Sequence, residues 1–186
     1  MKNSLYILAE LSELDFEWLL ATGKRRRISQ GSVLIQEGQP VDALYLILQG
    51  TFSVAVSALD NQEIAELSSG EVLGEISLVD NRPPTATVTA LTDAIVWAIP
   101  KVQLSMKLTQ DITFACHFYQ SLAVLLSDRL RGTVNWLGYT YGHGKEEAEQ
   151  AVAAQANGGS NDDFNPSLAG SLDMAKVRLK WLVENP

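Results

Sequence analysis

The stretch GEVLGEISLVDNRPPTATVTA, residues 70–90, joins a glycine-containing turn, a short apolar run and an alternating strand pattern. Glycine permits the positive φ angles of tight turns and allows two backbones to approach closely. A turn rich in backbone N–H groups that leads into the start of a helix suits a small anion. The stretch therefore predicts a loop that holds a small anion such as phosphate.

Short apolar runs surround this loop. Within residues 26–99, runs such as SVLIQ, ALYLILQGTFSVAVS and AIVWAIP alternate with turn signals that contain Gly, Pro, Asp and Asn. Many short strands at close spacing predict a small antiparallel barrel or jelly roll.

Helical periodicity lies on both sides of the strands. A Ser12–Asp15 capping pattern starts a helix over residues 12–22, and residues 101–111 predict a short helix. Residues 112–138 predict a long helix whose apolar residues recur at three-and-four spacing: Phe114, Phe118, Leu122, Leu125, Leu126, Leu130, Val134 and Leu137. A small barrel cannot cover so long a stripe, which predicts a homodimer through residues 111–137. In the alternative, the whole stripe lies on its own barrel.

The C-terminal part changes character again. Residues 138–166 are rich in Gly, Ala and Asn and predict a flexible linker, and residues 167–186 predict an amphipathic helix. The apolar face of this helix would hold Leu168, Leu172, Leu179, Leu182 and Val183, with Lys176, Arg178 and Lys180 elsewhere. Two alternatives stay open: residues 167–184 dock on a protein partner, or they fold back onto the same domain or the dimer mate.

Composition narrows the classes of partner and compartment. The chain has 186 residues and a formal net charge of -8, which opposes binding to nucleic acid. The dense basic run Lys24–Arg27 is interpreted as a solvated turn. A single cysteine, Cys116, is typical of a reducing compartment, and no secretory signal or 18-residue apolar run is found. These features predict a cytoplasmic protein without a membrane span.

No enzyme chemistry is expected. The two histidines, His117 and His143, lie outside the strand-rich region, and no HxH or CxxC metal pattern occurs. No Ser or Cys has a histidine poised beside it on the predicted scaffold. Cys116, in an apolar helix, is interpreted as buried packing. The sequence therefore predicts neither a catalytic residue nor a metal site.

Two stretches resemble the cyclic-nucleotide-binding domain family, which includes the catabolite activator protein and the regulatory subunits of cyclic-AMP-dependent protein kinase. GSVLIQEGQPVDALYLILQGTFSVAV, residues 31–56, resembles the first half of that domain, and residues 70–90 resemble its phosphate-binding cassette. The resemblance covers about residues 10–137. It implies a mainly β protein with flanking helices, an eight-stranded jelly roll or double-stranded β-helix, over residues 1–137. DNRPP and AIVWAIP also resemble stand-alone members from cyanobacteria.

The resemblance also implies the site. In members that bind cyclic nucleotides, a glutamate accepts a hydrogen bond from the ribose 2′-hydroxyl, and an arginine pairs with the cyclic phosphate. Here Glu75 takes the ribose position, Thr85 the small hydroxyl position and Thr133 a base-contacting position. Pro84 takes the arginine position. The candidate ligand-binding residues are Gly74, Glu75, Ile76, Ser77, Arg82, Thr85, Ala86 and Thr133.

The proline decides the functional expectation. Pro84 supplies neither a charge nor an N–H, and losing one partner of a buried charge pair costs about 2–5 kcal/mol. Arg82 is the alternative cation: it would share a strand face with residue 84, but two prolines stiffen the segment. Cyclic AMP or cyclic GMP is therefore expected to bind weakly, and no cofactor is assigned.

Two functions stay open. The first is a non-enzymatic regulatory or adaptor protein on a degenerate domain, which acts through protein–protein interaction. The second is a sensor of a cyclic nucleotide or related small ligand that signals to a protein partner. The missing cation favours the first. DNA is not expected as a partner, because the residues after Leu137 hold four basic and seven acidic side chains and no compact basic helix pair.

Overall fold

The computed structural model describes residues 4–143 and 169–185. Eight strands are present: β1 (Lys24–Ile28), β2 (Val33–Ile35), β3 (Ala43–Gln49), β4 (Thr51–Val56), β5 (Gln62–Ser68), β6 (Val72–Leu73), β7 (Thr87–Ala90) and β8 (Ala94–Pro100). The helices are α1 (Ser4–Glu10), α2 (Glu13–Thr22), α3 (Glu75–Val79), α4 (Lys101–Gln110), α5 (Ile112–His143) and α6 (Ala169–Glu184), and Ser57–Leu59 form a 3-10 turn.

The strands form two antiparallel four-stranded sheets that pack face to face. The first sheet has the order β1-β8-β3-β6, and the second has the order β2-β7-β4-β5. Alternate residues of both sheets fill the space between them, among them Tyr45, Ile47, Phe52 and Val96, all at most 1% exposed. This arrangement confirms the predicted fold class, a mainly β jelly roll with flanking helices.

A helical layer covers the outer face of the first sheet. Leu44, Leu46 and Ile99 point away from the sandwich and join a second apolar core with residues of α1, α2, α4 and α5. Trp97 lies at the join between the layers, where its indole N–H donates to the carbonyl of Leu19 at 3.4 Å. Two cores therefore share one sheet, which explains why β3 is almost fully buried.

The start of α2 is as predicted. Ser12 accepts a hydrogen bond from the Asp15 backbone N–H, and the Asp15 carboxylate accepts one from the Ser12 N–H, which together form a capping box. The helix α1 was not predicted, because its seven residues carry no capping signal. It is fixed by packing instead: Ile7 and Leu8 are fully buried.

The basic run Lys24–Arg27 was wrongly interpreted as a turn. It is most of strand β1, which pairs antiparallel with β8 along its whole length. Four consecutive charges obscured the strand, because the side chains that would reveal its alternation are all polar. The strand forms because its backbone pairs with the apolar strand β8, although its own residues show no hydrophobic alternation.

The long helix α5 has two apolar faces. Phe114, Phe118, Leu122 and Leu125 are buried against the domain. The later residues of the predicted stripe leave it: Leu130 is 64% exposed and Val134 is 58% exposed. The helix also continues to His143, past residue 138, where the linker was predicted to start.

Cys116 was predicted to be buried, and this was wrong. Its side chain is exposed on α5, two residues after the buried Phe114 and therefore on the opposite side of the helix.

The C-terminal helix α6 packs on its own domain, the second of the two alternatives. Ala175 and Leu182 are fully buried in the helical core, and α6 lies along α1. Arg178 was expected away from this face but is 6% exposed within it. Its guanidinium donates to the carbonyls of Leu8 and Leu11, each at 2.6 Å, because the C-terminal carbonyls of α1 need donors.

Residues 144–168, which hold most of the predicted linker, and Leu168 with it, lie outside the described part of the chain. Among the described helices, none is both long enough and apolar enough to cross a bilayer.

Candidate ligand-binding site

The cassette begins with a left-handed glycine. Gly74 has φ 85° and precedes the short helix α3, whose first residue is Glu75. A Cβ on Gly74 would lie 2.8 Å from the carbonyl oxygen of Ala43. Only glycine therefore fits both the backbone angle and the contact with β3. This turn aims the Glu75 side chain inward, where it is 2% exposed.

Glu75 is held by an arginine from the long helix. The Arg129 guanidinium forms an ion pair with the Glu75 carboxylate and donates a second hydrogen bond to the carbonyl of Val72 at 2.6 Å. Burial raises the pKa of the Glu75 carboxyl, and the nearby Arg129 charge opposes that rise. The side chain assigned to the ribose therefore already has a charged partner within the protein.

Arg129 is the site residue that the sequence reasoning missed. It lies one helical turn before Thr133, which was picked out. The signal that could have found it is chemical: a glutamate predicted to be buried in a cassette requires a cation nearby.

The predicted rescue arginine points away from the site. Arg82 is 83% exposed, and its Nε lies 3.9 Å from the Asp80 carboxylate. The Asp80 side chain also accepts a hydrogen bond from the Arg82 backbone N–H at 3.0 Å, which closes a local turn. The structure does not bring Arg82 and Glu75 together.

A lysine from α4 holds the far end of the cassette helix. Lys101 donates from Nζ to the carbonyl of Ser77 and to the side-chain oxygen of Asn81, both at 2.9 Å. Asn81 itself has φ 56°, a left-handed conformation that asparagine tolerates better than most residues. Ser77 is buried under this contact. Lys101 is therefore committed to the loop and does not act as a free cation in the pocket.

The proline segment is tied to the loop between β2 and β3. The Pro84 carbonyl accepts a hydrogen bond from the Gly38 N–H at 3.0 Å, and the Thr87 hydroxyl accepts one from the Glu37 N–H at 3.2 Å. Thr85 is exposed and Ala86 is half-buried. These two hydrogen bonds hold the proline segment in place, but position 84 offers neither a cation nor an N–H.

The remaining predicted residues are accessible. Ile76 is 52% exposed beside Glu75. Thr133 is exposed on α5, and its hydroxyl donates to the carbonyl of Arg129 at 2.9 Å. Glu75 is thus fixed by Arg129 and Ser77 by Lys101. Thr133 faces solvent.

Two surface grooves lie away from this cassette. One, of about 360 Å³, is lined by residues of α2 and α4 with Lys24, and the other, of about 270 Å³, is lined by residues of β1, β3 and β8. Across residues 4–143 and 169–185, no cluster of His, Cys, Asp and Glu has the arrangement of a metal site.

Known proteins show the same architecture. A catabolite activator protein from Thermus thermophilus is similar to this chain with a TM-score of 0.59 and 25% sequence identity, over 96% of this chain and 87% of that one. Among curated sequences, an NTE family protein of Mycobacterium bovis is 34% identical over 93 residues, which is 50% of this chain and 16% of that protein.

A regulatory subunit of cAMP-dependent protein kinase from Candida albicans is 28% identical over 102 residues, 55% of this chain and 21% of that protein. The chain thus spans less than a quarter of the length of these two curated relatives. The family model described as "Cyclic nucleotide-binding domain" matches residues 25–111. Together with the two sheets and the cassette described above, this match shows that residues 25–111 belong to the cyclic nucleotide-binding domain family.

Proposed function

We propose that this protein is a non-enzymatic regulatory or adaptor protein whose cyclic nucleotide-binding domain is degenerate and works through protein–protein interaction. The observation that carries the proposal is the charge of the cassette. Pro84 stands where the phosphate-binding arginine is expected, and Arg82 points to solvent. Lys101 and Arg129 are each bound to protein oxygens.

The charge balance of the site explains why cyclic nucleotides would bind poorly. Glu75 and Arg129 neutralise each other, so within the described part of the chain none of Arg82, Lys101 and Arg129 is placed to pair with the anionic phosphate. The loss of a charge-assisted pair costs about 2–5 kcal/mol, which corresponds to roughly 30- to several-thousand-fold in affinity.

The proposed partners are a second copy of the chain and another protein. The exposed face of α5 carries Ile112, Tyr119, Leu130 and Val134, a spacing that suits a helix–helix seam between two protomers. The outer face of α6 exposes Met174, Val177 and Trp181, although its inner face is occupied by its own domain.

A second candidate function is a sensor of a small ligand. Support comes from Gly74, which has the left-handed backbone, and from Glu75, which has the buried position, that the cassette would require. A ligand that offers hydroxyl groups but no phosphate would need only these residues. Under this alternative, the ligand-bound protein again signals to a protein partner.

Calorimetric titration with cyclic AMP, cyclic GMP and adenosine tests both functions. Wild type is compared with Pro84→Arg. Pro83→Arg is the matched control, because Pro83 precedes Pro84 directly and its side chain is exposed. We expect wild type and Pro83→Arg to be silent toward the cyclic nucleotides and Pro84→Arg to gain binding.

The other outcomes separate the candidates. Micromolar binding of a cyclic nucleotide to wild type would contradict the degenerate pocket and support the sensor. Binding of adenosine alone would support the sensor for a ligand without phosphate. Silence of all three proteins would show that the site has lost more than its arginine, which also agrees with the adaptor.

A further inference from the structure

Strand β1 leaves one side of the first sheet open. It pairs with β8 on one side, and in the sheets of the described residues no strand lies on its other side. The backbone hydrogen bonds found outside the sheets also involve none of residues 24–28 in that part of the chain. An unpaired strand edge presents a row of N–H and C=O groups to which another extended chain can pair.

This edge has a charge opposite to that of the whole molecule. Its first four residues are Lys24, Arg25, Arg26 and Arg27, in a chain with a net charge of -8. Arg26 is paired with Asp42 at 3.1 Å, and Arg25 donates to the carbonyl of Val183.

Two cations of the edge have no such partner. Lys24 and Arg27 are exposed and make no ion pair within residues 4–143 and 169–185. They lie near the two ends of β1, three residues apart, and therefore on opposite faces of the strand. An added strand with acidic side chains on both of its faces would meet one of these charges on each face.

Each end of the strand opens into a groove. Lys24 lines the groove of about 360 Å³, whose walls include Trp18 and Met106. Arg27 lines the groove of about 270 Å³, whose walls include Ile95. One cation of β1 thus lines a groove at each end of the strand.

We propose that the free edge of β1 is a docking site for an acidic, extended segment of a protein partner, which adds a strand to the first sheet. Backbone pairing provides the affinity, and the two cations select for acidic side chains. The other long edge strand, β5, carries Glu63 and Glu66 and would repel the same segment. The inference deepens the proposed protein–protein role, but its surface is separate from the cassette.

A charged edge also has a simpler role, because charges on edge strands prevent association. The experiment separates the two roles with a fluorescein-labelled peptide of two Glu-Glu-Thr-Thr repeats, blocked at both ends and called the Glu-Thr peptide, which places two glutamates on each face of an extended strand. A second peptide has Lys in place of Glu. A third is N-methylated at its four central residues, which keeps the charges and removes backbone donors.

Fluorescence anisotropy should show saturable binding of the Glu-Thr peptide below about 1 mM and none of the Lys peptide. N-methylation should weaken binding by at least about tenfold, because strand addition needs the backbone donors. Hydrogen exchange of the amides of residues 24–28 should slow in the complex.

Variants locate the site. Arg27→Glu should weaken binding of the Glu-Thr peptide by at least about tenfold. Lys176→Glu makes the same charge change at an exposed position of α6 and should change binding by less than about twofold. Unchanged thermal unfolding of both variants would show that neither effect comes from misfolding.

Three results would overturn the proposal: no saturation at about 1 mM, equal binding of the N-methylated peptide, or tighter binding of single-stranded DNA or anionic vesicles. Equal binding of the N-methylated peptide would show an attraction of charges alone. Because nucleotide calorimetry reports on the cassette and peptide binding reports on β1, failure of this inference is distinguishable from failure of the proposed function.

Discussion

At the scale of single residues, the cassette pairs its buried carboxylate within the protein. Gly74 keeps the left-handed turn, and Glu75 points inward. The charged groups around Glu75 are satisfied by the protein itself, through Arg129 and the carbonyl of Val72. Glu75 is therefore paired within the protein itself.

Substitution of Arg129 tests whether its ion pair with Glu75 stabilises the fold. We expect Arg129→Met to lower the free energy of unfolding by about 2–3 kcal/mol, because the buried Glu75 carboxylate loses its charged partner. Arg131→Met, at an exposed position of the same helix, should change it by less than about 0.5 kcal/mol. Urea denaturation measures both. Equal stabilities would mean that the ion pair does not form in solution.

The carboxyl of Asp15 should make the protein sensitive to acid. Burial by itself raises the pKa of Asp15, but hydrogen bonds with His117 and Ser12 outweigh this effect and hold the pKa below its ordinary 3.8. A carboxyl with a lowered folded-state pKa adds stability above its ordinary pKa. That stability is lost as the pH falls through the folded-state value.

Asp15→Asn tests this assignment. Its free energy of unfolding should be lower than that of wild type at pH 6, and the difference should shrink as the pH falls below 3.8. Glu17→Gln, an exposed carboxylate on the same helix, is the control and should show no such convergence. A difference that is independent of pH would assign the effect to packing and not to the charge.

At the scale of elements, α5 has one apolar face that is buried and another that is exposed. Its buried face joins the helical core, and its opposite face exposes Tyr119, Leu130 and Val134. Exposed apolar residues at helical spacing over several turns are typical of an interface.

Leu130→Glu should therefore separate the proposed dimer into monomers, because the charge would be buried in the seam. Gln120→Glu introduces the same charge on a flank of the helix and should leave the dimer intact. Light scattering during size exclusion gives the mass of each variant. A wild-type monomer at about 100 μM would contradict the dimer.

The docking of α6 depends on one buried arginine. Arg178 donates to two carbonyls at the end of α1, and its guanidinium lies 5.2 Å from the centre of the Phe16 ring. Arg178→Met should cost about 2–3 kcal/mol of stability, because those buried carbonyls lose a charged donor.

Lys176→Met, on the exposed face of α6, is the matched control and should cost less than about 0.5 kcal/mol. Thermal and urea unfolding measure the difference. An equal effect of the two substitutions would mean that α6 does not dock on α1 in solution.

At the scale of the whole molecule, α1 and α6, the first and last helices, pack together in the helical core. The two-sheet sandwich should stay folded in a chain without residues 160–186, because its core contains no residue of α6. The helical core, however, loses Ala175 and Leu182, both fully buried.

Truncation before residue 160 should thus leave a folded protein that is less stable by at least about 3 kcal/mol, since deleting one buried leucine side chain alone costs about 2–5 kcal/mol. Circular dichroism should retain the β signal, and denaturation should show the loss. An unchanged midpoint would contradict the docking of α6, and an insoluble product would show that the sandwich depends on the helical layer.

Local patterns in the sequence determined the jelly roll, the capping box of α2 and the left-handed turn at Gly74. These features depend on neighbours in the chain, on turn chemistry and on alternation, which a sequence displays directly. The resemblance to the cyclic nucleotide-binding family rested on the same local features.

Tertiary structure alone decided three others: α1, the burial of Arg178 and the pairing of Glu75 with Arg129. Each joins residues far apart in sequence, 54 positions apart for the ion pair and 170 for the bond from Arg178 to Leu8. From sequence alone, a charged side chain is predicted to be exposed, because burial of a charge is tolerated only beside a partner. When the partner is distant in sequence, only the folded structure shows the pair. The internal pairing of Glu75 with Arg129 therefore became visible only in the folded protein, whereas the proline at residue 84 already favoured the adaptor from the sequence.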